Sequence, residues 1–209
     1  MSQIFNLSKD NPTFDLSKDS PNAISEMVCG LGWKTKMGRD VDLDLSVIVV
    51  DAASKVVETA SFSNAKRNLL GGAMYHFGDD LTGSNAQTDM DNEQVRLKLS
   101  DMPPSVTAVW VMGSVYSGDL KNVKSCYVCV RGSDTQKLVN ADMSDMSGTA
   151  IMLAKIVRDG NGWKVERVDG AMNARTASSA VGYINGEKSF GSSDGNQTER
   201  RGFFSRLLG

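Results

Sequence analysis

The stretch Val41-Asp42-Leu43-Asp44-Leu45-Ser46-Val47 alternates apolar and polar side chains without a break. A period of two puts Val41, Leu43, Leu45 and Val47 on one face of an extended strand and Asp42, Asp44 and Ser46 on the other. Such a strand needs partners, because one or two strands alone neither bury an apolar face nor satisfy their backbone. The chain offers them in Glu26–Trp33, Val41–Asp51, Val56–Phe62, Gln94–Leu99, Val106–Tyr116, Lys124–Arg131, Thr149–Arg158 and Gly162–Val168. These runs are rich in β-branched residues and are divided by Gly, Asn, Asp and Pro. Asp159-Gly160-Asn161-Gly162 joins the last two as a hairpin. Many short strands between turn signals predict an all-β fold, a β-sandwich of two mainly antiparallel sheets with one or two short helices. Asp119–Val123 is long enough for one turn, and Ala171–Tyr183 is a helix candidate weakened by Ser and Thr.

The division along the chain follows composition. Residues 1–184 form the sandwich domain, 185–200 a flexible linker rich in Gly, Ser and Asn, and 201–209 an apolar and basic tail. A tail such as Arg201-Gly202-Phe203-Phe204-Ser205-Arg206-Leu207-Leu208 can dock on a partner, on a membrane surface or on its own sheet. Near the start, Asn6-Leu7-Ser8-Lys9-Asp10 returns as Asp15-Leu16-Ser17-Lys18-Asp19, and each copy leads into a proline turn. The echo reads as a strand and turn used twice.

A net charge of −2 over 209 residues argues against a nucleic-acid binder. No apolar run reaches a membrane span, and the first residues lack the basic and apolar pattern of a secretory signal. Cys29, Cys126 and Cys129 point to a reducing compartment. Cys126 and Cys129 look like a metal or redox pair, but in a strand positions three apart face opposite ways, so buried thiols are the better reading. His76, the single histidine, sits between Tyr75 and Phe77 and is assigned to packing, as are Trp33, Trp110 and Trp163. Arg131, Arg158, Arg167 and Arg175 are the cations available to balance the acids.

Those acids are the chemical signal. Gly78-Asp79-Asp80-Leu81-Thr82-Gly83 sets two carboxylates in a turn, and Asp89, Asp91 and Glu93 follow at alternate positions. Hard cations such as Ca²⁺ take six to eight oxygen ligands from carboxylates and carbonyls. Asp42 and Asp44 lie roughly 6.7 Å apart along a strand, within reach of one ion held between them. Gly78 and Gly83 allow tight backbone that turns carbonyls inward. The candidate ligands are therefore Asp42, Asp44, Asp79, Asp80, Asp91 and Glu93, with oxygens of Leu81 and Thr82, and Asp89 in reserve. The bland alternative is a solvated acidic loop of turn formers. The spacing is not that of an EF-hand.

The same residues, taken in order, resemble the TerD family of bacterial tellurium-resistance and stress-response proteins. The resemblance is carried by Leu7-Ser8-Lys9 and Leu16-Ser17-Lys18, Gly30-Leu31-Gly32-Trp33, Asp42-Leu43-Asp44-Leu45-Ser46, Gly78 to Gly83 with the acids to Glu93, Ser147-Gly148-Thr149-Ala150 and Gly162-Trp163-Lys164. It spans Leu7 to Tyr183. It implies a β-sandwich that binds Ca²⁺ without catalytic activity. It also implies a cytoplasmic protein that works with other proteins of a stress-response complex near the membrane, where peripheral association is open to it. The family loop commonly has Asn where Asp80 stands and closes on Asp-Asp-Glu where this chain has Asp91-Asn92-Glu93, which costs a carboxylate at Asn92. A glycine-rich run is replaced by Ser84-Asn85-Ala86-Gln87-Thr88, and Trp33 is followed by Lys34-Thr35-Lys36 rather than acids.

The expected function is a non-catalytic, calcium-binding adaptor. Two others stand beside it: a metal-dependent hydrolase using the same acids, and a metal-independent module that docks partners through its C-terminal tail.

Overall fold

The computed structural model describes residues 7–8, 10, 12–16, 24–36, 39–63, 67–83, 91–132, 137–144 and 146–192. The strands are β1 (Thr13–Asp15), β2 (Glu26–Thr35), β3 (Asp42–Val50), β4 (Val56–Ala60), β5 (Asn68–Leu69), β6 (Met74–His76), β7 (Glu93–Lys98), β8 (Ala108–Ser117), β9 (Val123–Gly132), β10 (Lys137–Asp142), β11 (Ala150–Asp159), β12 (Gly162–Met172) and β13 (Gly191–Ser192), with one helix, α1 (Ala177–Ile184). One sheet runs β1-β12-β11-β8-β3-β4, with β13 added on β12; the other runs β10-β9-β2-β7-β6-β5. Every pairing is antiparallel.

Between the sheets lies a core in which Leu43, Leu45 and Val47 of β3 meet Leu31, Val95, Leu97, Val111 and Val128. Full burial of each such side chain contributes about 1.5–3 kcal/mol. The opposite face of the β3 sheet is apolar too. Ile48, Val50, Trp110, Met112 and Met152 are covered by Ala180 and Ile184 of α1, with Tyr183 and Phe190 packed on them. Thr176 starts α1 with a reciprocal cap: its hydroxyl accepts from the Ser179 N–H, and the Ser179 hydroxyl accepts from the Thr176 N–H.

Several expectations are corrected here. The helix begins at Ala177 rather than Ala171, because the ladder to β11 holds Ala171 and Met172 extended opposite Ile151 and Ala150. The domain does not stop at residue 184. Phe190 stacks on Tyr183 and Trp110, and Gly191 and Ser192 pair with Ala171 and Gly170, so the first residues assigned to the linker belong to the fold. Residues 193–209, including the tail, lie outside the described residues, as does much of the N-terminal echo. Of that echo, Leu7 and Leu16 are buried core residues outside any strand, and the strand Thr13–Asp15 lies between them. The one turn expected near Asp119 is a 3-10 turn at Leu120–Asn122. β5, β6, β10 and β13 were not anticipated.

Of the four arginines, Arg131 and Arg167 do balance acids, Asp91 and Asp169, while Arg158 and Arg175 act as staples on backbone carbonyls. Arg158 donates to the carbonyls of Met102, Pro103 and Val106 and lies over the Trp163 ring. Arg175 donates to the carbonyls of Val115 and Tyr116, and Arg167 binds Asp169 and the Leu7 carbonyl. Cys126 faces the core, whereas Cys129 faces the other way beside the Arg131 guanidinium, as strand alternation requires. Among the described residues no helix is long and apolar enough to cross a membrane.

Candidate metal centre

β4 ends at Ala60, opposite Val47. Among the described residues, Asp42 to Ser46 of β3 therefore have a strand, β8, on one side only. Glu93, the first residue of β7, fills part of that gap: its Oε2 accepts from the Leu45 N–H at 2.7 Å. Asp44 and Glu93 are 2% and 1% exposed, and Asp79 reaches them from the loop above. One carboxylate oxygen from each of Asp44, Asp79 and Glu93 falls within 4.8 Å of the others.

The loop that delivers Asp79 is built around Asp80. Its Oδ1 accepts from the Thr82 N–H at 3.0 Å, the Thr82 hydroxyl at 3.2 Å and the Gly83 N–H at 3.0 Å. Its Oδ2 accepts from the Asn92 amide at 3.0 Å. The Asn92 Oδ1 in turn accepts from the Trp33 N–H at 2.8 Å, so one amide side chain joins the loop to β2. Gly83 has φ +60°, and any Cβ there would collide with the indole of Trp33. Gly83→Ala combines that collision with left-handed backbone. It lowers stability by about 2 kcal/mol, read as a lower thermal midpoint.

Among the described residues, no cation is among the causes that shift Asp42, Asp44 or Glu93. Burial first, then the charges of Asp42 and Asp79, push the Asp44 carboxyl up to about 7. Burial and the charges of Asp79 and Asp80 raise Asp42 to about 6. Burial, with a hydrogen bond donated to Asp79 and the charge of Asp44, raises Glu93 to about 9. Asp80 goes the other way. Partial burial would raise it, but the bonds from Asn92, Thr82 and Gly83 outweigh that and hold it below the usual range. The Asp44 Oδ2 and Asp42 Oδ1 are buried with no hydrogen-bond partner among the described residues. Buried polar atoms are seldom left so. An all-oxygen set with orphaned carboxylate atoms fits a hard cation.

Of the residues assigned from sequence, Asp44, Asp79 and Glu93 converge, with Asp42 close enough to shift with them. Asp80 and Thr82 organise the loop instead, and Leu81 is displayed outward at 61% exposure. Asp89 lies outside the described residues. Asp91 is not brought to the cluster. An unbroken strand would align it with Glu93, but β7 starts only at Glu93 and the chain bends at Asn92. Its carboxylate instead meets Arg131 at 2.5 Å, the Tyr127 hydroxyl at 2.9 Å and the Gln94 amide at 3.1 Å. The assignment of His76 to packing needs one addition: it is buried, and its Nδ1 accepts from the Gly78 N–H at 3.1 Å at the base of the loop. Arg131, read as a balancing cation, does pair with Asp91, whereas Asn92 and Tyr127 were missed as parts of the site. The signal for them is Gly30-Leu31-Gly32, where a Cβ at Gly30 would strike the Asp91 carboxylate and one at Gly32 the Tyr127 ring.

Comparison with known proteins adds the lineage. The TerD domain family matches residues 4–179. General stress protein 16U of Bacillus subtilis (strain 168) is 28% identical over 181 residues, covering 81% of this chain and 92% of that protein. Tellurium resistance protein TerX of Serratia marcescens is 21% identical over 180 residues, covering 69% and 83%. A crystal structure of a homologue of telluride resistance protein (TerD) from Streptomyces coelicolor A3(2) superposes with a TM-score of 0.63 at 16% identity, over 76% of this chain and 95% of that one. The last match bears on the fold alone.

Proposed function

The chain belongs to the TerD domain family, and we propose that it is a calcium-binding, non-catalytic adaptor of a tellurium-resistance or stress-response system. The observation that carries the reading is the convergence of Asp44, Asp79 and Glu93 with buried, unpartnered oxygens on Asp44 and Asp42. Asp42, Asp44, Asp79 and Glu93 would hold the ion. Ca²⁺ supplies there the positive charge that turns mutual repulsion of these groups into attraction. The adaptor role is supported by Leu81 and Phe77, which are 61% and 48% exposed on the segment that the ion would stiffen. A cytoplasmic setting suits a chain whose three cysteines form no disulfide.

Titration calorimetry on the metal-free protein tests the reading. The wild-type chain releases or absorbs heat on addition of Ca²⁺, and Asp44→Asn with Asp79→Asn abolishes the response. A silent wild-type titration overturns the calcium reading. An unchanged isotherm in the double variant overturns the ligand set.

A further inference from the structure

We infer that Asp91 is a positioning residue of the ion site, clamped for that task by Arg131 and Tyr127, rather than one of its oxygen ligands. The inference rests on the calcium reading above. The Asp91 side chain is 3% exposed, and both of its oxygens are engaged by groups outside the cluster: Oδ2 by Arg131 and Gln94, Oδ1 by Tyr127. Asp91 is not among the charges that push Asp42, Asp44 or Glu93 upward. The clamp crosses the outer face of the β10 sheet. Arg131 and Tyr127 belong to β9, and between β9 and the start of β7 runs β2, whose Gly30 and Gly32 leave room for the Asp91 and Tyr127 side chains.

What the clamp holds is the two residues that follow. The Asn92 N–H donates to the Leu31 carbonyl at 2.8 Å, and its side chain joins Trp33 to Asp80. Glu93 then turns inward to the Leu45 N–H and the cluster. Fixing Asp91 from behind fixes the bend at Asn92, and that bend aims both the loop organiser and a ligand. Groups that orient metal ligands from outside the coordination sphere typically change metal affinity by about 10–100-fold when removed.

The test is Ca²⁺ titration calorimetry on the full chain, comparing wild type, Tyr127→Phe, Asp91→Asn and the double variant, with a thermal melt of each metal-free protein. Tyr127→Phe removes one hydroxyl and leaves the ion pair, so the fold survives it. Positioning predicts that Tyr127→Phe weakens Ca²⁺ binding by about tenfold, and that the double variant binds no more weakly than Asp91→Asn alone, because the tyrosine acts through the aspartate. If Asp91 is a ligand, Tyr127→Phe leaves binding unchanged or tightens it by releasing the carboxylate. If the clamp serves the fold only, Tyr127→Phe lowers the melting temperature with an unchanged dissociation constant. Either result overturns the inference while the calcium reading stands. A wild-type chain without a calcium response overturns the calcium reading and this inference with it.

Discussion

Ca²⁺ at 100 times its dissociation constant raises the melting temperature of the wild-type chain by roughly 5–10 °C. A ligand that binds only the folded state adds about 2.7 kcal/mol at that ratio, and each 1 kcal/mol moves the midpoint of a domain of this size by about 2–4 °C. Asp44→Asn loses the increment. Without metal, the same variant is at least as stable as wild type at pH 8, because it removes a charge pressed against Asp42 and Asp79. Glu93→Gln behaves alike, since its amide oxygen can still accept from the Leu45 N–H. The stability order of wild type and variants thus inverts between chelator and excess Ca²⁺. An equal shift in wild type and Asp44→Asn in differential scanning would remove the site from these residues.

Raising the pH from 5 to 9 destabilises the metal-free protein by several degrees in its melting temperature. Asp42, Asp44 and Glu93 titrate near 6, 7 and 9 in the fold, above ordinary carboxyl values. The folded chain therefore holds more protons than the unfolded one through this window, and stability falls as pH rises. The contribution is complete below the unfolded values of about 4 and is lost as each folded value is passed. Asp80, held low, works in the opposite sense, losing its contribution only as pH falls through its depressed value. Ca²⁺ displaces the same protons, so its affinity tightens between pH 5 and 9 and the alkaline loss vanishes when it saturates the site. Denaturant unfolding with chelator and with Ca²⁺ at both ends of the range reads both effects. A flat profile in chelator contradicts the crowding of these carboxylates.

Much of this was legible in the chain. The alternation through Val47 places Asp42 and Asp44 opposite Leu43 and Leu45, and the structure keeps that arrangement. The hairpin at Asp159–Gly162 closes as read. What failed was whatever depended on partners far away in sequence. Alternation put Asp91 beside Glu93, and only the Leu31 carbonyl, the Trp33 N–H and Arg131 bend the chain between them. The amide at Asn92 looked like a lost carboxylate. It is instead a donor that helps hold the Asp80 carboxyl below the usual range, so the loss at one position and the extra acid at the other form one hydrogen-bonded pair. β10 escaped notice because Lys137 to Asp142 is short and mixed in polarity; its place comes from the ladder with β9.

The hydrogen bond from Leu45 to Glu93 has a meaning beyond ion chemistry. Sheet margins with open amides invite pairing between molecules, and proteins commonly block them. Here a side chain does the pairing, on a stretch of β3 whose Asp44, Leu45 and Ser46 are nearly inaccessible to solvent. Shortening Glu93 to alanine therefore leaves the buried Leu45 N–H without its acceptor, and lost stability is the form its failure takes.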